Sequence, residues 1–302
     1  MPIAASIKKD NSVAGDRTST DFSQREFPML SKDFKVIQEV ALAETGISLS
    51  HHKQEMIYGR IVRRVRALNL ANFTEYCTYL QKNLNAELMD FTNAITTNLT
   101  YFFREPHHFE YLKDTVIPKI KSNKLNNKKL RIWSAGCSTG EEPYSLAITL
   151  KEAGWPAGWD VKILATDLDT NVVAHGKAGQ YKKERFEGMD KGVQKKWFSH
   201  SINKDENGRE SQLLTVEPSL QNMILFRKLN LLQQWPMKGK FDVIFCRNVV
   251  IYFSKDTQRV LFDRFADILN PNGFLFIGHS ESLNRVTERF ETLGRTVYRK
   301  KD

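Results

Sequence analysis

The chain gathers residues of chemical interest in short stretches, each directly after an apolar run. One reads Ser134-Ala135-Gly136-Cys137-Ser138-Thr139-Gly140-Glu141-Glu142-Pro143, a glycine-bearing turn that ends in paired carboxylates. Its glycines permit a tight turn and close backbone approach to a ligand. The spacing is not GxGxxG, however, and no Lys follows the last glycine as in a P-loop. Adjacent acids repel a polyphosphate and suit a cationic or neutral ligand. A second stretch, Thr166-Asp167-Leu168-Asp169, puts an acid where ribose hydroxyls are held in dinucleotide folds. Asp167 is the ligand candidate, and Asp169 or Thr170 can cap the helix that follows. Asn230-Leu231 forms a third. The fourth, Cys246-Arg247-Asn248-Val249-Val250-Ile251-Tyr252, holds an arginine that needs an anion or carbonyl partner. Its Asn248 can read an adenine or hold the amino-acid portion of a ligand.

The apolar runs before these stretches read as strands at 130–135, 161–166, 223–229 and 241–246, with another at 274–277. Helical patterns lie between them at 143–153, from about 170, and at 255–269. Such alternation predicts an α/β fold with a mostly parallel, doubly wound sheet covered on both faces. In that architecture a ligand sits at the carboxyl ends of the strands, where the stretches above fall. A short strand at 296–299 is expected to pair antiparallel with its predecessor. Between about 176 and 221 the alternation lapses into polar sequence with Gly188, Gly192, Gly208 and Pro218. This reads as an inserted subdomain with a small antiparallel sheet. Upstream, residues 29–100 read as an all-helical domain. Ser31 is expected to cap a helix holding Phe34, Ile37, Val40 and Ala41, and Ser50 a second running to Leu68. Apolar periods at Phe73, Tyr76 and Leu80 and at Leu84, Leu88, Phe91 and Ile95 add two more. Residues 1–28 show no period and read as a disordered tail. The α/β domain occupies 101–302, joined through a Lys/Asn-rich stretch at 121–129.

At 302 residues the chain has length for about two domains. Its 41% hydrophobic and 26% charged content excludes wholesale disorder, collagen and coiled coil. No apolar run approaches the ~18 residues of a membrane span, and no apolar segment follows the early lysines as a secretory signal requires. A cytoplasmic protein with no membrane insertion is expected. Cys77, Cys137 and Cys246 are widely spaced without a CxxC pair, so neither a disulfide framework nor a metal site is predicted. The 45 Lys and Arg against 35 Asp and Glu leave a charge of +10, which favours an acidic partner.

Four segments in register carry a resemblance. They are Thr96-Thr97-Asn98-Leu99-Thr100-Tyr101-Phe102-Phe103-Arg104-Glu105; Trp133 through Ser145, which contains the acidic turn; Ala165-Thr166-Asp167-Leu168-Asp169; and Phe245-Cys246-Arg247-Asn248-Val249-Val250-Ile251-Tyr252-Phe253. Together they resemble the chemotaxis receptor glutamate O-methyltransferase family, CheR, and the likeness runs from about residue 30 to the end. It implies an S-adenosylmethionine-dependent methyltransferase fold and methyl esterification of glutamate side chains on chemoreceptor cytoplasmic helices, which tunes chemotactic adaptation. The family's cofactor contacts fall on Asn98, Thr100, Arg104, Glu142, Asp167, Asn230, Leu231, Arg247 and Asn248. S-adenosylmethionine carries a sulfonium, an ammonium, a carboxylate and a ribose but no phosphate, which suits a glycine turn followed by acids. Arg104 can pair with its carboxylate, and Asp167 or Glu142 with the ribose hydroxyls. S-adenosylhomocysteine is the expected product.

A glutamate acceptor is already ionised near neutrality, so the reaction needs positioning and water exclusion instead of a general base. Arg104 and Tyr252 are the expected catalytic residues, orienting the acceptor or lining the methyl site; Tyr252 alternatively packs as an aromatic beside Phe253. His107, His108 and His279 have no task in this chemistry and read as structural. On the helix expected from Ser50, the residues Lys53, Arg60, Arg63 and Arg64 fall on a basic face that complements glutamate-bearing helices. Reversing Arg60 and Arg63 to Glu is expected to raise substrate KM and leave cofactor affinity unchanged. In some family members the β subdomain docks a pentapeptide tether at a receptor's C-terminus; the turn at 201–210 here is longer, more polar and holds one glycine. A monomer is expected, without nucleic acid. A nucleic-acid methyltransferase would share the fold and explain the charge, but the chain lacks an Asn/Asp-Pro-Pro-aromatic stretch after the 241–246 strand. A non-catalytic S-adenosylmethionine-binding module is the reading from another class, because ligand binding does not prove turnover.

Overall fold

The computed structural model describes residues 22, 25–122, 128–204 and 210–302. Most of the expected tail over 1–28, the middle of the 121–129 stretch and the middle of the 201–210 turn lie outside the described residues.

Four helices come first: α1 (Ser31–Thr45), α2 (Gln54–Ala67), α3 (Phe73–Lys82) and α4 (Leu84–Ile95). Their apolar stripes meet in one core around Phe34, Ile37, Ile57, Ile61, Phe73, Tyr76, Leu80 and Phe91. The start of α1 is closed by Asp33, whose carboxylate accepts from the Leu30 amide at 2.8 Å, so Ser31 is the first helical residue and not the expected cap. Its C-terminal cap is Gly46 at φ 71°, where a Cβ would come within 1.9 Å of Leu232 Cδ1. That glycine lets the helical layer close against the loop after the sheet. His51–Lys53 form a separate 3-10 turn, which puts Lys53 at the N-cap of α2 and not within it.

A helical run follows as α5 (His107–Tyr111), a π turn (Leu112–Val116) and α6 (Ile117–Ser122). Then β1 (Lys129–Ala135), α7 (Glu141–Glu152), β2 (Asp160–Asp167), α8 (Thr170–Ala178), β3 (Gln180–Lys182), α9 (Lys191–Trp197), β4 (Phe198–Lys204), β5 (Glu210–Val216), α10 (Pro218–Gln221), β6 (Ile224–Lys228), β7 (Phe241–Cys246), α11 (Lys255–Ile268), β8 (Leu269–Ile277), β9 (Phe290–Gly294) and β10 (Val297–Lys300) complete the chain.

The large sheet has the order β6-β2-β1-β7-β8-β10-β9. Its β6, β2, β1, β7 and β8 run parallel, with Ser134 opposite Ala165 and Ile244 opposite Leu275. Strand β10 lies antiparallel between β8 and β9; β9 has no counterpart in the periodicity, because its sequence FETLG shows no alternation over its five residues. Both faces are apolar. Ile132, Val243, Phe245 and Phe276 enter one core with helix α7, while Trp133, Ile244, Leu275 and Ile277 enter the other with α11. Successive side chains of a strand point to opposite faces, so near-continuous apolar strands mark a sheet covered on both sides. A smaller antiparallel sheet, β3-β5-β4, packs Phe186 and Phe198 around Phe102, with centroids at 5.0 and 5.4 Å. Among the described residues no helix is long and apolar enough to cross a membrane.

Candidate functional site

The chain steps from β1 outward to β2 and β6, then returns to β7 and builds the sheet the other way. The carboxyl ends of β1 and β7 therefore flank a switch point, where α/β sheets open a crevice. A pocket lies there. Its walls are Gly136, Cys137, Ser138 and Glu142 after β1, Asp167 and Leu168 after β2, Leu229, Asn230 and Leu231 after β6, and Arg247, Asn248, Val249, Ile251, Tyr252 and Phe253 after β7. The helical layer roofs it with Thr45, Ile47, Leu49, Lys53 and Met56, and the 95–101 segment with Arg104 closes one side.

The turn after β1 is tight because it must be. Gly136 takes φ 88°, and a Cβ there would meet Val249 Cγ2 at 2.3 Å, so the β1 and β7 loops touch only because the side chain is missing. Glu142, on the first turn of α7, accepts from Ser134 Oγ at 2.7 Å and from Arg247 Nη1 at 3.3 Å. Burial pushes its carboxyl up, opposed by the Arg247 charge and the Ser134 hydroxyl. Asp167 accepts from the amides of Ser138 at 2.8 Å and Asp169 at 3.0 Å. Burial nevertheless pushes it up to about 6, against those hydrogen bonds.

Arg247 is 6% exposed. Its guanidinium lies between Glu142 and Glu105, whose Oε2 is 3.4 Å from Nη2, and it donates to the Arg104 carbonyl. Glu105 in turn accepts from the His279 amide and Nδ1 at 3.2 and 2.8 Å. Although burial works against it, these bonds and the Arg247 charge hold the Glu105 carboxyl down at about 2. His108, fully buried, sets Nε2 at 3.0 Å from both the Arg295 carbonyl and Thr296 Oγ1; burial and Arg247 push it down to about 4. Glu105, His107 and His108 bring donor atoms within 4.8 Å of one another, but the Arg247 cation beside Glu105 opposes a metal ion there.

Every expected cofactor residue, namely Asn98, Thr100, Arg104, Glu142, Asp167, Asn230, Leu231, Arg247 and Asn248, lines this one pocket, and so do Tyr252 and Lys53. Asn98 and Asn230 line it with amides already engaged: Asn98 Nδ2 donates to Asp169 at 2.8 Å, and Asn230 Nδ2 to the Glu44 carbonyl at 3.1 Å. Asp169 does two tasks, capping α8 through Asn171 and Val172 and pinning Thr96 and Asn98. Asn248 sits at φ 58°, a conformation asparagine tolerates better than most residues. Arg104 donates from Nη1 to the Leu99 carbonyl at 3.1 Å. Tyr252 packs on the helical core, its aromatic reading, and also lines the pocket with Lys53 Nζ 4.5 Å above its ring.

The basic face of α2 is not brought to the pocket as a unit. Arg64 forms a bidentate pair with Glu87, at 2.8 and 2.7 Å, and reaches Asp90 at 2.9 Å; it holds α2 to α4 and is no open surface charge. Arg60 donates from Nη1 to the carbonyls of Ile95 and Thr96 at 3.3 and 2.5 Å and to Thr97 Oγ1 at 3.2 Å. It thereby closes the C-terminus of α4 and bears on the segment carrying Asn98, so reversing it would disturb the pocket wall as well as the surface. Arg63 alone of the three is exposed. Helical periodicity groups these residues by angle and says nothing of the acids on the next helix, which explains the difference.

Some site residues escape the sequence reading. The roof at Thr45, Ile47 and Leu49 lies at the end of α1 and on the loop after it, where no spacing marks a site. Glu105 was visible as the end of the 96–105 segment, but its link to Arg247 joins positions far apart in the chain. Glu281, which accepts from the Asn248 and Val250 amides of the turn after β7, gives no signal at all.

Residues 98–299 match the family described as CheR methyltransferase, SAM binding domain, and residues 32–96 the one described as CheR methyltransferase, all-alpha domain. Among known proteins, chemotaxis protein methyltransferase 2 of Pseudomonas aeruginosa is 41% identical over 278 residues, 92% of this chain and 96% of that protein. The chemotaxis protein methyltransferase of Salmonella typhimurium is 40% identical over 88% of each chain. That of Escherichia coli is 39% identical over 88% of this chain and 89% of its own.

Proposed function

The chain belongs to the CheR methyltransferase family, and from that premise we propose that it esterifies glutamate side chains on the cytoplasmic helices of chemoreceptors, with the pocket at the switch point as the S-adenosylmethionine site. The observation that carries the reading is the convergence of Arg104, Glu142, Asp167, Arg247 and Asn248 on one pocket from separate strand ends and the 98–104 segment. The donor set fits this cofactor. Acids line the pocket without a phosphate cradle, because the amides of Gly136, Cys137 and Ser138 are already spent on Thr166 and Asp167.

When bound, S-adenosylmethionine supplies a methyl group on a cationic sulfonium, and S-adenosylhomocysteine remains after transfer. Asp167 and Glu142 hold the ribose hydroxyls through their carboxylate oxygens. Arg104 offers the methionine carboxylate its Nε and Nη2, which have no hydrogen-bond partner among the described residues. Asn98, Thr100 and Asn230 set the shape of the wall, Leu231 packs beneath it at 7% exposure, and Asn248 presents its amide from the β7 turn. Arg247 neutralises Glu142, which lines the pocket, and Glu105 behind it, so that the two acids stand close without repelling one another.

The acceptor arrives already ionised, so no side chain must take its proton. Lys53, which lines the pocket over the Tyr252 ring, would draw it in, and Tyr252 and Arg104 would orient it or line the methyl site. The Thr45–Lys53 roof excludes water from a step in which opposite charges vanish. Cytoplasmic residence and recruitment to receptor arrays follow from this substrate; a receptor tether is a further candidate partner for the β3-β5-β4 subdomain.

The test is transfer of labelled methyl from S-adenosylmethionine to receptor-bearing membranes, followed by mild alkali. Label on a receptor band released as methanol supports a carboxyl methyl ester. Alkali-stable label would overturn the proposal in favour of N-methylation or nucleic-acid methylation.

A further inference from the structure

The turn after β7 delivers Arg247, Asn248, Val249, Ile251 and Tyr252 to the pocket. The Tyr252 and Phe253 amides close it from within on the Val249 and Val250 carbonyls, and Gln258 of α11 donates to the carbonyls of Val250 and Phe253. The amides of Asn248 and Val250, at the start of the turn, are held from beyond the end of β8. Glu281, 5% exposed, accepts from the amide of Asn248 at 2.9 Å through Oε2 and from that of Val250 at 2.9 Å through Oε1. The same Oε2 accepts from the amide of Gly278 at 2.6 Å. Among the described residues its hydrogen-bond partners are all backbone amides. A buried carboxylate satisfied in this way is a rigid template: both oxygens are used, and each fixes a different residue of the turn.

Gly278 completes the template from the other side. A Cβ there would come within 2.5 Å of Asn248 Nδ2 and 2.8 Å of its backbone nitrogen, so the β8 end and the β7 turn are in contact through Asn248 itself. Asn248 meanwhile holds φ 58°, a left-handed conformation that asparagine tolerates and that the bond from its amide to Glu281 keeps in place.

We propose that Glu281 is a positioning residue for the methyl-transfer site: its carboxylate clamps the amides of Asn248, Val250 and Gly278 and so fixes the placement of Asn248 and Tyr252 against the cofactor. This rests on the cofactor site proposed above. Misplacement by about 1 Å of groups that orient a reacting centre can lower turnover a hundredfold, so the effect of losing the clamp is expected in function before it is seen in folding.

The experiment compares the full chain with Glu281→Gln, Glu281→Asp and Gly278→Ala. Four quantities are read: the calorimetric Kd for S-adenosylhomocysteine, kcat and KM with receptor membranes, and Tm. An amide cannot accept at both oxygen positions, so Glu281→Gln is expected to weaken S-adenosylhomocysteine at least about tenfold and to lower kcat further. Glu281→Asp should recover part of both, and Gly278→Ala should reproduce the loss with the carboxylate intact. A lowered Tm with Kd, kcat and KM unchanged at a temperature well below it would overturn the proposal, leaving Glu281 as a fold residue only. If Glu281→Gln does not fold, Gly278→Ala and Glu281→Asp decide by the same criteria. Binding of S-adenosylhomocysteine does not depend on the acceptor, so a failure of the receptor-glutamate reading would leave the Kd comparison standing.

Discussion

The molecule uses arginine in two regions with opposite results. At the end of β7, Arg247 is buried between Glu142 and Glu105, and this places it at the pocket. On α2, Arg60 and Arg64 lie on a surface helix, where a basic stripe suggests a docking face, yet Arg64 is tied to Glu87 and Asp90 and Arg60 to the end of α4. The buried arginine lines the pocket, and two of the surface arginines are spent on holding α4. A residue's place relative to a strand end is a fixed property of an α/β fold, whereas the freedom of a surface charge depends on what the neighbouring helix offers it. A charge run is therefore weaker evidence for a partner than a lone arginine after a buried strand.

The comparison breaks first at Arg247. Replacing it by Ala leaves Glu142 and Glu105 close together without their shared cation, and loss of one partner from a buried ion pair costs about 3–5 kcal/mol. The expected outcome is a large fall in denaturation midpoint together with loss of S-adenosylhomocysteine binding by calorimetry. Retention of wild-type affinity would sever Arg247 from the site. The corresponding change on α2, Arg64→Ala, strands Glu87, which is 2% exposed and among the described residues keeps only the Tyr76 hydroxyl at 3.1 Å. Here a loss of about 2–3 kcal/mol is expected, smaller because Arg64 itself reaches solvent, with cofactor affinity preserved. If Arg64→Ala weakened the cofactor as Arg247→Ala does, the division between a structural and a functional arginine would fail.

The same distinction explains what could be read from the sequence. The α/β class and the position of the pocket were legible because apolar strands end abruptly in polar turns, and the turns after β1, β2, β6 and β7 carry Glu142, Asp167, Asn230 and Arg247. What could not be read joins distant segments: Glu105 to Arg247, Asp169 to Asn98, Glu44 to Asn230, and Glu281 to the β7 turn. Each is a side chain whose partner is fixed by topology and not by spacing along one element. The strand β9 was missed for a related reason, since its sequence FETLG is defined by pairing with β10 and not by an apolar period.

The next effect is one of pH and belongs to the pocket alone. Burial raises Asp167 to about 6 from an ordinary 3.8, so the folded chain holds this proton where the unfolded chain has released it. The contribution to stability is fully present below the unfolded value and is lost as pH rises through about 6, an effect of order 1–3 kcal/mol. Melting curves of the cofactor-free chain and of Asp167→Asn between pH 4.5 and 7.5 should therefore show the native chain losing ground to the variant as pH rises. Ligand affinity should move the other way, strengthening as Asp167 ionises and can accept from ribose hydroxyls. A pH-independent S-adenosylhomocysteine affinity across this range would remove Asp167 from the ribose contacts.

The smallest effect separates the two surface arginines that periodicity grouped together. Arg63 is exposed and has no ion-pair partner among the described residues, so Arg63→Glu should change stability by less than about 0.5 kcal/mol. It should leave S-adenosylhomocysteine affinity intact and raise KM for the proposed receptor substrate severalfold, with the increase shrinking at high salt as an exposed electrostatic contact requires. Arg60→Glu should behave differently, because its guanidinium holds the Ile95 and Thr96 carbonyls beside the Asn98 wall. Its cofactor Kd should rise along with KM, and the cofactor effect should persist in salt. Identical, salt-sensitive KM shifts in both variants with no change in Kd would mean that α2 acts as one uniform basic face after all, and that the bond from Arg60 to α4 is incidental to the site.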